Sequence, residues 1–197
     1  GSRKAETLLR AGARVTVVSP RARPSLQHLA DEGRLTWHAR PYGSRDMEDT
    51  FLAFSATDDP GINRRIEADA ARHGVLCNFA DAPDRGHFLL PAIVERGDLL
   101  VSISTSGASP AVARRLRQAL ESYFGEEYGP FLRILGRVRE HLLAREHAPE
   151  AHKQLFERLI DGGLLALVKA GDRNGMEALL KSVLGDDVDT RPLLSGV

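Results

Sequence analysis

The sequence predicts an α/β protein, a Rossmann-like parallel sheet followed by an α-helical subdomain. Three observations carry the fold class. Short apolar runs alternate with helix-like stretches up to about residue 103, and Gly12, Gly33 and Gly74 close the joints between them. Small or hydroxyl-bearing residues follow several of those runs, which is where open α/β sheets hold ligands. After Pro110 the apolar residues recur only at helical spacing.

Each element has its own reason. Residues 5–11 (AETLLRA) read as a helix stopped by Gly12. Residues 14–18 (RVTVV) are mostly β-branched and apolar, as in a buried parallel strand, and Ser19-Pro20-Arg21 ends it. Residues 25–32 form a second helix before Gly33, and the alternation in 35–38 suits a strand nearer the sheet edge. Residues 51–56 (FLAFSA) read as another buried strand. Thr57-Asp58-Asp59-Pro60 then opens a helix over 61–73, with Asp58 read first as its cap, able to touch a ligand while capping. Residues 75–79 and 99–103 are the remaining strands. The sheet is expected to be mostly parallel with right-handed crossovers. Helices are expected over 111–124, 131–145, 164–170 and 174–184, with Leu155, Leu159 and Ile160 continuing the helical spacing. Residues 185–197 read as a frayed end or linker.

Composition narrows the function. Lys plus Arg and Asp plus Glu are both 27, so the formal charge is zero, which argues against a nucleic-acid binder working by bulk electrostatics. Cys77 is the only cysteine; it permits no internal disulfide or CxxC zinc site and fits a cytoplasmic protein. No apolar run is long enough for a membrane span. No Walker loop or HExxH motif occurs, and no Ser-His-Asp set can be assigned from spacing.

Four strand ends collect polar residues: Ser19-Pro20-Arg21, Ala56-Thr57-Asp58, Asn78 to Asp81, and Ser104 to Ser109. Asp81 precedes Ala82-Pro83 and reads either as a turn-forming acid or as a carboxylate at a sheet edge, free to take a proton or ligate a cation. Ser104-Thr105-Ser106-Gly107-Ala108-Ser109-Pro110 reads either as a plain turn or as an anion cradle at a helix start, with Arg114 in reach. His87 is read as structural or surface, and Cys77 and Trp37 as packing residues.

The segments RKAETLLRAGARVTVVSP, LAFSATDD with Asn63 after it, CNFADAP, and FLLPAIVERGDLLVSISTSGASPAVARRLR together resemble the N-terminal module of sirohaem synthase, the precorrin-2 dehydrogenase and sirohydrochlorin ferrochelatase family. The resemblance is strongest over 3–117 and continues weakly through the helical tail. It implies NAD-dependent oxidation of precorrin-2 to sirohydrochlorin, with ferrous iron as a possible further substrate to give sirohaem. It implies Asp81 as catalyst and tentative metal guide, and Gly1, Ser19, Pro20, Arg21, Ala56, Thr57, Asp58 and Asn78 as cofactor contacts. It places Ser104, Thr105, Ser106, Gly107, Ser109 and Arg114 along a tetrapyrrole cleft; Thr105 stands where family members carry a phosphorylatable serine. It also implies a homodimer and a division into a nucleotide-binding part (1–98), a dimerisation and cleft part (99–124) and a helical part (125–197). Gly1 falls at the last small position of a GGGxVA-type turn, so the first strand and the first glycines of that fingerprint are expected to be missing. A non-catalytic nucleotide- or tetrapyrrole-binding module with a degenerate Rossmann start is the alternative.

Overall fold

The computed structural model describes residues 1–80, 82–144 and 149–196, and the chain divides into two compact units, Gly1–Leu90 and Pro91–Val197. The first contains α1 (Ser2–Arg10), β1 (Thr16–Val18), α2 (Pro24–Asp31), β2 (Thr36–His38), a 3-10 turn at Ser44–Met47, β3 (Leu52–Ser55), α3 (Pro60–His73) and β4 (Leu76–Phe79). Strands β1 and β2 pair in parallel with Val17 opposite Trp37, and β3 and β4 pair in parallel with Phe54 opposite Asn78. The expected single sheet is therefore two parallel pairs. Among the described residues no further strand pairs with either of them.

Each pair has its own core. Ala5, Val15, Leu26 and Leu35 are buried together with Trp37 packed against them. Met47, Ile66, Ala70, Val75, Cys77 and Phe79 form the other cluster. The buried Asp69 of α3 pins the preceding loop, accepting from the Tyr42 hydroxyl at 3.0 Å and pairing with Arg72 at 3.2 Å. The strand expected from Phe51 begins at Leu52, and Phe51 is 82% exposed. Asp58 is not the cap of α3. Pro60 takes the first helical position, so the cap falls to Asp59, whose Oδ1 accepts from the Gly61 and Ile62 amides at 2.7 and 3.1 Å.

The second unit contains β5 (Ala92–Arg96), β6 (Leu99–Ile103), α4 (Pro110–Tyr123), α5 (Tyr128–Leu143), α6 (Pro149–Asp161), α7 (Leu164–Ala170) and α8 (Arg173–Leu184). Strands β5 and β6 form an antiparallel hairpin, with Arg96 opposite Leu99 across the turn Gly97-Asp98. The apolar run at 99–103 is thus not a parallel strand of the nucleotide-binding sheet. Gly97 has φ +59°, and a Cβ there would stand 3.1 Å from the Gly129 Cα, so the turn abuts the start of α5. Ile134, Val138, Leu159, Leu164 and Leu180 fill the helical core. The segment after α8 is not a frayed end: Val188, Thr190, Leu193 and Leu194 are buried, and Arg137 donates to the Leu193 carbonyl at 3.2 Å.

Candidate functional site

Parallel pairing in the first unit puts the carboxyl ends of β1, β3 and β4 on polar residues. After β1, the Ser19 amide donates to the His38 carbonyl, Trp37 donates its indole N–H to the Ser19 carbonyl, and the Ser19 hydroxyl donates to the Arg21 carbonyl at 2.7 Å. These bonds fix the turn that presents Arg21. After β3, the buried Ser55 hydroxyl donates to Asn63 Oδ1 at 2.5 Å, and Asn63 donates to the Thr57 carbonyl at 3.2 Å. Thr57 Oγ1 accepts from the Asp59 amide at 3.0 Å. Ala56 and Asp58 are exposed beside it.

At the end of β4, Asn78 is only 5% exposed and both ends of its amide are engaged. Its Nδ2 donates to the Phe88 carbonyl at 2.9 Å, and its Oδ1 accepts from Lys4 Nζ at 2.5 Å. Lys4 reaches there from α1 and lies 5.1 Å from the centre of the Phe54 ring, which meets Phe88 edge to face. Burial lowers the proton affinity of the Lys4 ammonium, partly offset by the nearby Cys77 thiol. Burial in turn pushes the Cys77 thiol up, against a backbone hydrogen bond at Ser55 and the Lys4 charge. His87 has a structural role: its amide donates to the Cys77 carbonyl, and its Nδ1 accepts from the Cys77 amide at 3.0 Å. Asp81 lies outside the described residues.

Sequence reading missed Lys4. The signal available was a lysine at the start of a first helix that folds back over the strands, but spacing alone does not reveal which strand end it meets. The donor set suits an anionic dinucleotide: a half-buried ammonium without a carboxylate partner among the described residues, an oriented amide, and hydroxyls at adjacent strand ends.

The second unit holds the hydroxyl loop. Thr105 Oγ1 donates to the Ser109 carbonyl at 3.1 Å and accepts from the Ser109 amide at 3.2 Å. The Ser106 amide donates to Ser104 Oγ, the Ala108 amide to the Thr105 carbonyl, and the Val112 amide to Ser109 Oγ, which caps α4. Ser106 and Gly107 are both left-handed, at φ +51° and +83°. The loop therefore consumes the amides of Ser106, Ala108 and Ser109 itself, and Ser104, Ser106 and Gly107 are exposed. Arg114 is exposed just past the first turn of α4, while Arg117 is tied to Glu121.

Comparison with known families is consistent along the chain. Residues 1–92 match a family described as putative NAD(P)-binding, 96–123 the central part of a sirohaem biosynthesis protein, and 127–184 the dimerisation region of sirohaem synthase. The chain belongs to the family of the sirohaem synthase N-terminal module. Among the curated members of this sirohaem synthase family, the sirohaem synthase of Nitrosococcus oceani is 33% identical over 92% of the chain, and that of Methylococcus capsulatus 35% over 90%. The chain spans 39% and 38% of those two proteins. A solved structure titled SirC, precorrin-2 dehydrogenase, shares the fold with a TM-score of 0.76 at 24% identity, covering 93% of this chain and 88% of that one. Among the described residues no helix is long and apolar enough to cross a membrane.

Proposed function

We propose that the chain is an NAD-dependent precorrin-2 dehydrogenase of sirohaem biosynthesis, working in the cytoplasm as a homodimer. The observation that carries this is the Lys4–Asn78 pair at the end of β4, three residues before Asp81, in a member of the sirohaem synthase family. Ser19, Pro20 and Arg21, Ala56 to Asp58, Asn78 and Gly1 hold the dinucleotide, which supplies a hydride acceptor at its nicotinamide ring. The Lys4 ammonium adds positive charge beside Asn78 and keeps that amide in one orientation.

The Asp81 carboxylate takes the proton released from the tetrapyrrole carbon skeleton during oxidation. Ser104, Thr105, Ser106, Gly107, Ser109 and Arg114 line the part of the cleft that takes the carboxylates of the tetrapyrrole. In that loop Thr105 sets the shape, while Ser104, Ser106, the Gly107 amide and Arg114 make the contacts. Where ferrous iron is inserted as a second substrate, Asp81 accepts the pyrrole protons that the metal displaces. The parts 1–98, 99–124 and 125–197 bind nucleotide, build the cleft and dimer, and support them.

Asp81→Ala tests the reading. Precorrin-2 oxidation, followed by the absorbance of reduced nicotinamide, is expected to fall at least a hundredfold while NAD affinity and circular dichroism stay within error of the parent. Near-normal turnover in that variant removes Asp81 from catalysis. Nucleotide binding by the parent chain without any turnover favours a sensing module.

A further inference from the structure

Two buried side chains of α3 are polar, Asn63 and Asp69. Asp69 is held by Tyr42 and by Arg72 of its own helix. Asn63 instead meets the end of β3. It shares helical spacing with Ile66 and Ala70, which pack with Val75, Cys77 and Phe79 in the core of the β3–β4 pair, and it is only 1% exposed. The pattern calls for an apolar residue at this position. A buried amide costs free energy unless its oxygen and nitrogen are bonded, and a leucine of similar shape fills such a place without that demand. Here the amide is used at both ends. Its Oδ1 accepts from the buried Ser55 hydroxyl at 2.5 Å, and its Nδ2 donates to the Thr57 carbonyl at 3.2 Å.

These two bonds span the turn that leaves β3. Ser55 is the last residue of the strand, and its carbonyl accepts from the Ala80 amide just past β4. Thr57 Oγ1 accepts from the amide of Asp59, and Asp59 caps α3. Asn63 thereby holds the residues on both sides of Ala56, and Ala56 and Asp58 stay exposed on a turn whose course is set from beneath. A ligand that meets a turn already fixed has no ordering cost to meet there, which is how preorganisation raises affinity. We infer that Asn63 is a positioning residue for the dinucleotide: with Ser55 it locks the β3–α3 turn in the conformation that receives the cofactor, and it touches no cofactor atom itself. This rests on the nucleotide-binding reading above and adds to it a residue that acts through Thr57.

Calorimetric titration with NAD and steady-state oxidation of precorrin-2 test it in Asn63→Leu and Ser55→Ala. Asn63→Leu removes both bonds and keeps the core face of α3 filled, whereas Ser55→Ala removes a single oxygen. The dissociation constant and KM for NAD are expected to rise at least tenfold in Asn63→Leu and at least threefold in Ser55→Ala. In both, kcat at saturating NAD is expected to stay within threefold of the parent. The double variant is expected to lose no more affinity than Asn63→Leu alone, because the hydroxyl and the amide act as one unit. A packing role alone lowers kcat with the folded fraction and leaves KM unchanged, and that result overturns the inference. So does NAD affinity within twofold of the parent in a folded Asn63→Leu. If Asn63→Leu does not fold, Ser55→Ala decides, and unchanged NAD affinity there overturns the inference. Each of these results leaves the dehydrogenase reading standing, because the parent still binds NAD. A parent chain that binds no NAD removes the nucleotide-binding reading and this inference together.

Discussion

The Lys4 ammonium occupies a place where its charge is both costly and useful. It is half-buried, bonded to Asn78 Oδ1 at 2.5 Å and set over the Phe54 ring, with no carboxylate beside it among the described residues. Burial holds its proton affinity below that of an ordinary lysine. The unfolded chain then binds more protons at this group than the folded one, so the cost of burying the charge is felt below the folded pKa and fades as pH rises through it. Anion affinity runs the opposite way: it is greatest while the ammonium is charged. Nucleotide affinity is therefore expected to fall with an alkaline limb beginning below the ordinary lysine range of about 10.4. In Lys4→Arg, whose guanidinium stays charged, that limb is expected to vanish. In Lys4→Met the loss is expected in KM for the nucleotide more than in kcat, because the amide of Asn78 loses one of its two restraints. Calorimetry across pH and steady-state kinetics of the two variants read these effects directly.

Elements were legible where a periodic pattern and a stop coincided. Helix α3 ends at Gly74, left-handed at φ +67°, as the glycine stop requires. Strand β5 escaped notice because Ile93 and Val94 sit between Pro91 and the charged Glu95-Arg96, yet Gly97-Asp98 between two apolar runs is a hairpin signal in its own right. The segment after α8 has the composition of a polar tail because Asp186, Asp187, Asp189 and Arg191 dominate it, while Val188, Leu193 and Leu194 decide its fate by filling the helical core. Leu194 is 1% exposed, so Leu194→Ala is expected to cost about 2–5 kcal/mol. A urea titration read by circular dichroism checks this; a loss under about 0.5 kcal/mol, ordinary for a surface change, marks the segment as peripheral. The candidate site was legible in part. Residue types at strand ends pointed to Ser19, Thr57 and Asn78, but the helix that supplies Lys4 and the internal bonds that consume the amides of the hydroxyl loop follow from tertiary geometry.

At the scale of the whole molecule, four of the six exposed large apolar residues of the second unit, among the described residues, lie on β6 and α4. Leu100, Leu116 and Tyr123 are 60%, 46% and 71% exposed, and Val112 lies on the same helix. Full burial of an apolar side chain of this size stabilises by about 1.5–3 kcal/mol, so several together reach the range of about 4–15 kcal/mol that association costs. The proposed homodimer gives these residues a partner, and residues 127–184 match a region described as the dimerisation region of sirohaem synthase. The expected consequence is that Leu116→Glu and Leu100→Glu each raise the dimer dissociation constant at least tenfold in analytical ultracentrifugation. A glutamate at either exposed position disturbs no buried neighbour in the free chain, so the monomer should keep its helical signal. If both variants remain dimers while Leu143→Glu or Ile160→Glu, at exposed positions of α5 and α6, yields monomers, the interface lies on those helices instead and 99–124 serves the cleft alone. The same variants report on catalysis: if the cleft is shared between subunits, oxidation of precorrin-2 is expected to fall in proportion to the monomer fraction, whereas a cleft complete within one chain keeps its turnover after dissociation.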